Sequence, residues 1–245
     1  MKRKIISGPV NLRRVYVWEL PVRIYHWLNA LCMLILIVTG FIIANPVAIL
    51  SGKEASDIFL FGTVRYVHFA TAYVAFFNFL FRIYWGFVGN KYARWDKFIP
   101  TNLRFFRELW DVIKMDIFMI KNDGLHAIGH NKMAGLVYFG LFLAFVVQCL
   151  TGFGLYAGTS DFWFPQLFTW VPALMGGDFM IRQIHHWAMY FFIFFTMVHI
   201  YLSFYHDYIE GRGIISSMAG GWKFIEEEKF AEDQAHEKTH EKAQP

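Results

Sequence analysis

The segment that decides the fold is HHWAMYFFIFFTMVHIYLSFY, residues 185–205, a run of 21 mostly apolar and aromatic residues with two histidines at its start and a third in its second half. A helix needs about 20 such residues to cross the hydrocarbon core of a bilayer. The 14 steps from His185 to His199 span roughly 21 Å at about 1.5 Å per residue, and at about 100° per step they return to the same helix face. This segment therefore predicts a membrane span with two imidazoles on one face, at different depths.

Three further apolar segments have the length of a membrane span, at residues 27–44, 66–88 and 133–157. The composition agrees, because 56% of the 245 residues are hydrophobic and only 17% are charged, a balance unlike that of soluble domains. The sequence predicts an all-α fold, an integral membrane four-helix bundle within residues 1–215. Residues 216–245 are predicted to form a cytoplasmic tail that is disordered at its charged end.

Basic residues give the expected orientation of the spans. They are concentrated in the first 25 residues and in the segment between the second and third spans, whereas the other two connections contain few. Lysine and arginine are enriched in cytoplasmic loops. We therefore expect both termini and the middle connection on the cytoplasmic side, and the two other connections on the outer side.

Depth along the spans sorts four histidines into two layers. His68 and His185 lie near the outer ends of spans two and four and form the predicted outer layer. His26, at the start of span one, and His199, in the second half of span four, form the predicted inner layer. Each layer offers two imidazoles from different helices, which is what six-coordinate haem iron requires, and bundle cores are where such sites are built. The haems are expected between the helices.

Other residues near these layers leave alternatives open. His206 is a rival inner ligand, since it lies seven residues beyond His199 on nearly the same face, but it stands at the water boundary. His186 points about 100° away from its neighbour in the outer layer and is interpreted as a polar or loop contact. Arg23, Arg65 and Arg182 are candidate partners of haem propionates, although anchoring at the interface explains Arg23 equally well.

A short pattern recurs in spans one and three. Thr39-Gly40-Phe41 and Thr151-Gly152-Phe153 both lie toward the outer half of the predicted bundle. Small residues at these positions allow close approach of a partner helix or of a porphyrin face, and the sequence alone does not choose between the two.

Three motifs together resemble a known family. They are RIYHWLNA at 23–30, running on to Thr39-Gly40; RIYWGFVGNKYAR at 82–94; and RQIHHW at 182–187 with His199 beyond it. As a set they resemble the b-type cytochrome subunit of membrane-bound nickel–iron (uptake) hydrogenases. That group belongs to the di-haem cytochromes b, which include the gamma subunits of formate dehydrogenases. The resemblance covers about residues 14–215.

The resemblance implies a function and its partners. It implies a multi-pass protein of the bacterial cytoplasmic (inner) membrane with two haem b groups, His26 and His199 holding the inner one, His68 and His185 the outer one. By the same resemblance, electrons would come from a periplasmic hydrogenase, whose large subunit holds nickel–iron and whose small subunit holds iron–sulfur clusters and a membrane anchor helix. They would pass to menaquinone or ubiquinone within a higher-order complex.

The same resemblance points to a quinone site at the start of span three. Asn131 and His130 are the candidates, although capping of the helix start accounts for Asn131 as well. No nucleic-acid partner is expected; membrane lipids surround the spans. The chain is expected to transfer electrons as part of an H2:quinone oxidoreductase and to catalyse nothing alone.

Three other functions agree with parts of the pattern. The same electron carrier would serve a formate dehydrogenase or another periplasmic oxidoreductase. A transporter would use the histidines to bind zinc or copper ions, but the spans lack the buried carboxylates that favour this reading. A passive membrane anchor would bind no haem and would tolerate substitution of the histidines.

Overall fold

The computed structural model describes residues 11–45, 59–95 and 132–228, together with residues 230, 231 and 234. Its elements in chain order are β1 (Leu12–Tyr16), α1 (Leu20–Ala44), α2 (Leu60–Val88), α3 (Lys132–Ala157), α4 (Trp163–Gln166), α5 (Trp170–Leu174), α6 (Asp178–Glu210), α7 (Ile214–Gly220) and β2 (Trp222–Glu226). Within this described part, α1, α2, α3 and α6 are long and apolar enough to cross a membrane. The prediction of four long apolar helices is confirmed.

All four helices extend beyond the predicted apolar segments, although α3 does so by a single residue. Helix α1 begins at Leu20, and Pro21 in its first turn costs no hydrogen bond because the N–H groups there have no intrahelical partner. Helix α6 begins at Asp178 and ends before Gly211, whose φ of 61° is the left-handed conformation that commonly terminates helices. Hydropathy marks the part of a helix that crosses hydrocarbon, whereas backbone hydrogen bonding continues through the interfacial residues.

The four long helices alternate in direction around the bundle. Backbones approach each other most within two pairs, α1 with α2 and α3 with α6. Aromatic rings bridge the pairs: Phe41 contacts Tyr190 with ring centroids 5.8 Å apart, and Phe69 stacks on Tyr156 at 4.1 Å. In each contact a residue near the C-terminal end of one helix meets a residue in the N-terminal half of the other helix. The architecture is therefore an up-down-up-down bundle in which the two pairs touch largely through side chains.

A two-stranded sheet, which the sequence did not predict, joins the two ends of the described chain. Strand β1 pairs antiparallel with β2, with Leu12 opposite Glu226 and Tyr16 opposite Trp222. A small core of Val17, Trp18 and Ile225 is buried beside it. The all-α prediction is thus incomplete at this end of the bundle, and the segments before α1 and after α6 lie together.

Helix α7 is held against the start of α1 by two side chains of the motif at 23–30. The Arg23 guanidinium donates to the carbonyl of Ala219, and the Trp27 indole donates to the carbonyl of Met218 at 2.9 Å. Such bonds satisfy carbonyls at the C-terminal end of α7, which its own helix leaves unpaired.

The motif at 82–94 fastens the end of α2 to the start of α1. One carboxylate oxygen of Glu19 accepts from the Trp85 indole at 3.0 Å and from the backbone N–H of Asn90 at 2.8 Å. The Asn90 amide donates in turn to the carbonyl of Val17 at 2.9 Å. A motif that carries the family resemblance therefore has a structural use, because it fixes the register of the first helix pair.

Gly86 lets Trp95 fold back onto α2. The Trp95 indole donates to the carbonyl of Ile83 at 3.2 Å, and a Cβ placed on Gly86 would overlap the indole ring. A side chain at this position would require a rigid ring to move.

We expect Gly86→Ala to lower the thermal stability of the detergent-solubilised protein, because overpacking a filled site costs about 1–3 kcal/mol. The matched control is Gly62→Ala in the same helix, where a Cβ would meet no described atom within 4 Å and helix propensity favours alanine by about 1 kcal/mol. The thermal stability of both variants is measured from the folded fraction that size-exclusion chromatography recovers after heating to increasing temperatures. Equal stability of the two variants would contradict the proposed overlap.

Candidate functional site

The two histidines of the predicted inner layer lie side by side. His26 near the start of α1 and His199 in the second half of α6 have ring centroids 6.2 Å apart, with the ring planes inclined at 56°. His26 meets the edge of Trp27, and Phe195 stacks on His199 with centroids 5.4 Å apart. The Nδ1 atom of His26 is buried and has no hydrogen-bond partner among the described residues.

This spacing suits a metal held between the two rings. First-row metals bind imidazole nitrogen at about 2.0–2.1 Å, and two rings on opposite sides of one metal would then have centroids roughly 6 Å apart. The observed 6.2 Å lies at that spacing.

His68, of the predicted outer layer, is held by the Thr-Gly pair of α1. Its Nδ1 lies 2.8 Å from the hydroxyl of Thr39, and its Cε1 is 3.6 Å from the position that a Cβ on Gly40 would take. The same Cβ position is 3.6 Å from the sulfur of Met189 on α6. Met189 lies one turn beyond His185, so Gly40 adjoins both His68 and the part of α6 that carries the other outer histidine.

His185 is held in the same way by the Thr-Gly pair of α3. Its Nδ1 lies 3.0 Å from the hydroxyl of Thr151, and its Cε1 is only 3.0 Å from where a Cβ on Gly152 would be. The amide nitrogen of Gln148 is 3.1 Å from its Nε2. The repeated Thr-Gly pattern therefore holds an imidazole in both places.

The sequence predicts close approach of a helix or of a porphyrin face at this repeat, but it does not reveal the contacts of the threonine hydroxyls with histidines. Gln148 was missed altogether. The signal that marks it is a polar amide in the middle of an apolar span, one turn before Thr151.

The remaining candidate residues have other positions. The Nδ1 of His186 lies 3.1 Å from the carbonyl of Arg182, one turn earlier in its own helix, and so contacts neither layer through that atom. The ring of His206 meets the edge of Tyr205, whereas the imidazole in ring contact with His26 is that of His199. The Arg23 guanidinium donates a hydrogen bond to the carbonyl of Ala219 on α7.

Arg65 and Arg182, the other candidate partners of propionates, are exposed near the starts of α2 and α6, the helices that carry the outer histidines. The candidates for the quinone site, Asn131 and His130, lie outside the described residues.

Each layer offers two imidazoles, and the described residues contain no group of three or more His, Cys, Asp or Glu side chains arranged to hold a metal ion. A porphyrin brings four nitrogen ligands of its own, so a pair of imidazoles completes a six-coordinate iron. The imidazole nitrogen donors and the aromatic rings beside them suit a flat apolar cofactor. The residues present therefore fit a haem in each layer.

The fold and these layers define a multi-pass membrane protein of the cytochrome b class, and comparison with known proteins gives its family. Residues 17–221 match the prokaryotic cytochrome b561 family. The chain belongs to this family, in the group of the Ni/Fe-hydrogenase B-type cytochrome subunits.

Three relatives show how far the similarity extends, and all carry the name of a probable Ni/Fe-hydrogenase B-type cytochrome subunit. The protein of Azotobacter vinelandii is 38% identical over 219 residues, which cover 88% of this chain and 90% of the relative. That of Bradyrhizobium diazoefficiens is 39% identical over 213 residues, 84% of this chain and 85% of the relative. The protein of Escherichia coli K12, assigned by name to hydrogenase 1, is 36% identical over 218 residues, 87% and 92% of the two chains.

The resemblance inferred from the three motifs is thereby confirmed. A b-type cytochrome contains haem b and transfers electrons.

We expect Gly152→Ala to weaken haem retention, because its Cβ would stand 3.0 Å from His185 and push the ring by a few tenths of an ångström. Disturbing the support of a metal ligand costs about 10–100-fold in affinity. Haem per purified chain, measured after extended dialysis, tests this. Gly140→Ala in the same helix is the control, since its Cβ would meet no described atom within 4 Å, and equal haem in both variants would refute the expectation.

Proposed function

We propose that this chain holds two haem b groups, one in each histidine layer, and carries electrons from a periplasmic nickel–iron hydrogenase to the membrane quinone pool. His68 and His185 would ligate the outer haem, and His26 and His199 the inner one. The observation that carries the proposal is the pairing of His26 with His199 at 6.2 Å, matched at the other layer by two imidazoles with equivalent threonine contacts.

Haem iron, when bound, would supply reversible one-electron transfer, and two histidine ligands in each layer would leave no position for oxygen. The chain's residues orient the ligands and exclude water. His185 and His199 are separated by roughly 21 Å along α6, so the two layers lie at different depths. This supports a transmembrane route for electrons in two steps.

The direction of transfer rests on the distribution of charge. The basic N-terminal segment and the basic segment between α2 and α3 favour a cytoplasmic position for both, and the β1–β2 sheet brings the C-terminal segment to the same end of the bundle. The inner layer would then face the cytoplasm and the outer layer the periplasm. On this basis we propose residues 1–215 as the membrane domain, residues 216–245 as a cytoplasmic tail, and the bacterial inner membrane as the location.

The names of the relatives support hydrogenase as the partner over formate dehydrogenase or another oxidoreductase. The hydrogenase small subunit, with its iron–sulfur clusters and anchor helix, would deliver electrons to the outer layer, and the large subunit would oxidise H2. Menaquinone or ubiquinone would accept electrons near the inner layer, with Asn131 and His130 at the quinone site by family resemblance.

An oxidised and a dithionite-reduced absorption spectrum of the purified chain, with haem counted per protein, tests the central proposal. We expect two low-spin b haems per chain in the wild type and one in His199→Ala, because the inner iron loses an axial ligand. His206→Ala is the control, since this histidine is the rival inner ligand, and it should retain two. Absence of haem from the wild type would refute the proposal, and loss of the inner haem only in His206→Ala would reassign the ligand.

We expect Asn131→Ala to slow quinone reduction while both haems are retained, because an amide that bonds a quinone oxygen would be lost. The measurement is H2-driven quinone reduction by the intact complex, with haem content determined in parallel. Unchanged quinone kinetics would show that Asn131 only caps the start of the third span.

A further inference from the structure

We infer that Thr39 and Thr151 are matched positioning residues: each hydroxyl accepts the Nδ1–H of one outer-layer imidazole, which leaves Nε2 free to bind iron and makes it a stronger donor. This inference rests on the proposed function, since it takes His68 and His185 as the ligands of the outer haem. It adds two residues to that site and a defined effect on its reduction potential.

The donor in each contact follows from the distances around the hydroxyl. The oxygen of Thr39 is 2.6 Å from the carbonyl oxygen of Ile35, and that of Thr151 is 2.8 Å from the carbonyl oxygen of Val147. Two oxygens this close require a hydrogen between them. A carbonyl has none to give, so in both cases the threonine donates its only hydroxyl hydrogen to its own helix.

The imidazole must therefore donate to the threonine. Nδ1 of His68 is 2.8 Å from the Thr39 oxygen, and Nδ1 of His185 is 3.0 Å from the Thr151 oxygen. With their hydrogens already committed, both hydroxyls act here as acceptors. A neutral imidazole with its hydrogen on Nδ1 has its lone pair on Nε2, so the same tautomer is selected at both histidines.

Gln148 supports this assignment at His185. An amide nitrogen only donates, and that of Gln148 is 3.1 Å from Nε2. The bond to Thr151 makes Nε2 an acceptor, and this amide nitrogen is placed to be its donor. Iron and the Gln148 amide would compete for the same lone pair, so binding of the cofactor displaces this amide.

One histidine of the inner layer differs in this respect. His26 of the inner layer has a buried Nδ1 with no hydrogen-bond partner among the described residues, whereas both outer histidines have a hydroxyl acceptor. A hydrogen bond from Nδ1–H raises the basicity of a metal-ligating imidazole, and a more basic ligand stabilises ferric over ferrous iron. The threonines therefore lower the potential of the outer iron, which favours electron flow from the outer to the inner layer.

Redox titration of the α-band of the full-length chain, with haem counted per protein, tests the inference. Thr39→Val and Thr151→Val keep the shape of the side chain but remove the acceptor. Each should raise the midpoint potential of the outer haem, the double variant should raise it further, and the low-spin ferric electron paramagnetic resonance signal of that haem should shift. Thr39→Ser and Thr151→Ser restore a hydroxyl and should return the wild-type values.

Thr196→Val is the matched control. Its hydroxyl makes the same bond to its own helix, to the carbonyl of Phe192 at 2.8 Å, and no hydrogen bond to a histidine joins it within the described residues. This variant should leave the outer potential unchanged. Thr39→Ala and Thr151→Ala repeat the test if the valine variants do not fold.

Potentials and resonance signals equal to the wild type in both single variants would overturn the inference and leave the two-haem proposal standing. Selective loss of the outer haem from the valine variants, with retention in the serine variants and in Thr196→Val, would support positioning by the hydroxyl. Failure of the underlying two-haem proposal would give a different result. If His68→Ala and His185→Ala kept two haems per chain, the ligand assignment itself would be wrong.

Discussion

The structure depends on the hydrogen-bonding requirement of a neutral imidazole between apolar helices. Such a ring has one N–H that needs an acceptor and one lone pair that needs a donor or a metal, and either group left unsatisfied in hydrocarbon costs several kcal/mol. At His68 and His185 the N–H is satisfied by a threonine one helix away. At His26 and His199 the rings lie beside each other at 6.2 Å. Each arrangement leaves a nitrogen available to a metal.

These requirements also explain where the small and aromatic residues lie. Gly40 and Gly152 follow the two threonines directly, and each gives an imidazole room to approach the helix that bonds it. Stacked and edge-on rings such as Phe69 with Tyr156 fill the wider space between the two helix pairs. The bundle is therefore close-packed within pairs and more loosely joined between them, as a site for a large flat cofactor requires.

Much of this arrangement could be predicted from the sequence. Hydropathy and length predict the membrane spans because only apolar segments of sufficient length can cross the hydrocarbon core. Helical phase places His185 and His199 on one face whatever surrounds them. The contact of His26 with His199 agrees with the depth argument, although the ligand roles are still to be tested.

The parts that could not be predicted depend on contacts between distant segments. The pairing of residues 12–16 with 222–226 joins strands about 200 residues apart in the chain, and short strands of this kind have no periodic signal strong enough to identify a partner. The hydrogen bonds from Trp85 and Asn90 to Glu19 are equally hard to predict, because neither segment of sequence identifies the other as its partner. The Thr-Gly repeat was visible, but spacing alone does not reveal that its hydroxyls contact histidines.

The division of the bundle into two helix pairs has a consequence for biogenesis. With haem in each layer as proposed, every iron would join one histidine of the first helix pair, His26 or His68, to one of α6, which is synthesised after α1, α2 and α3. Neither cofactor site is complete until that helix has been inserted. Each haem would then act as a crosslink between two helix pairs that otherwise meet mainly through side chains. The supply of haem would therefore limit the yield of mature protein. A chain that lacks haem would expose its separated helix pairs to the quality-control proteases of the membrane.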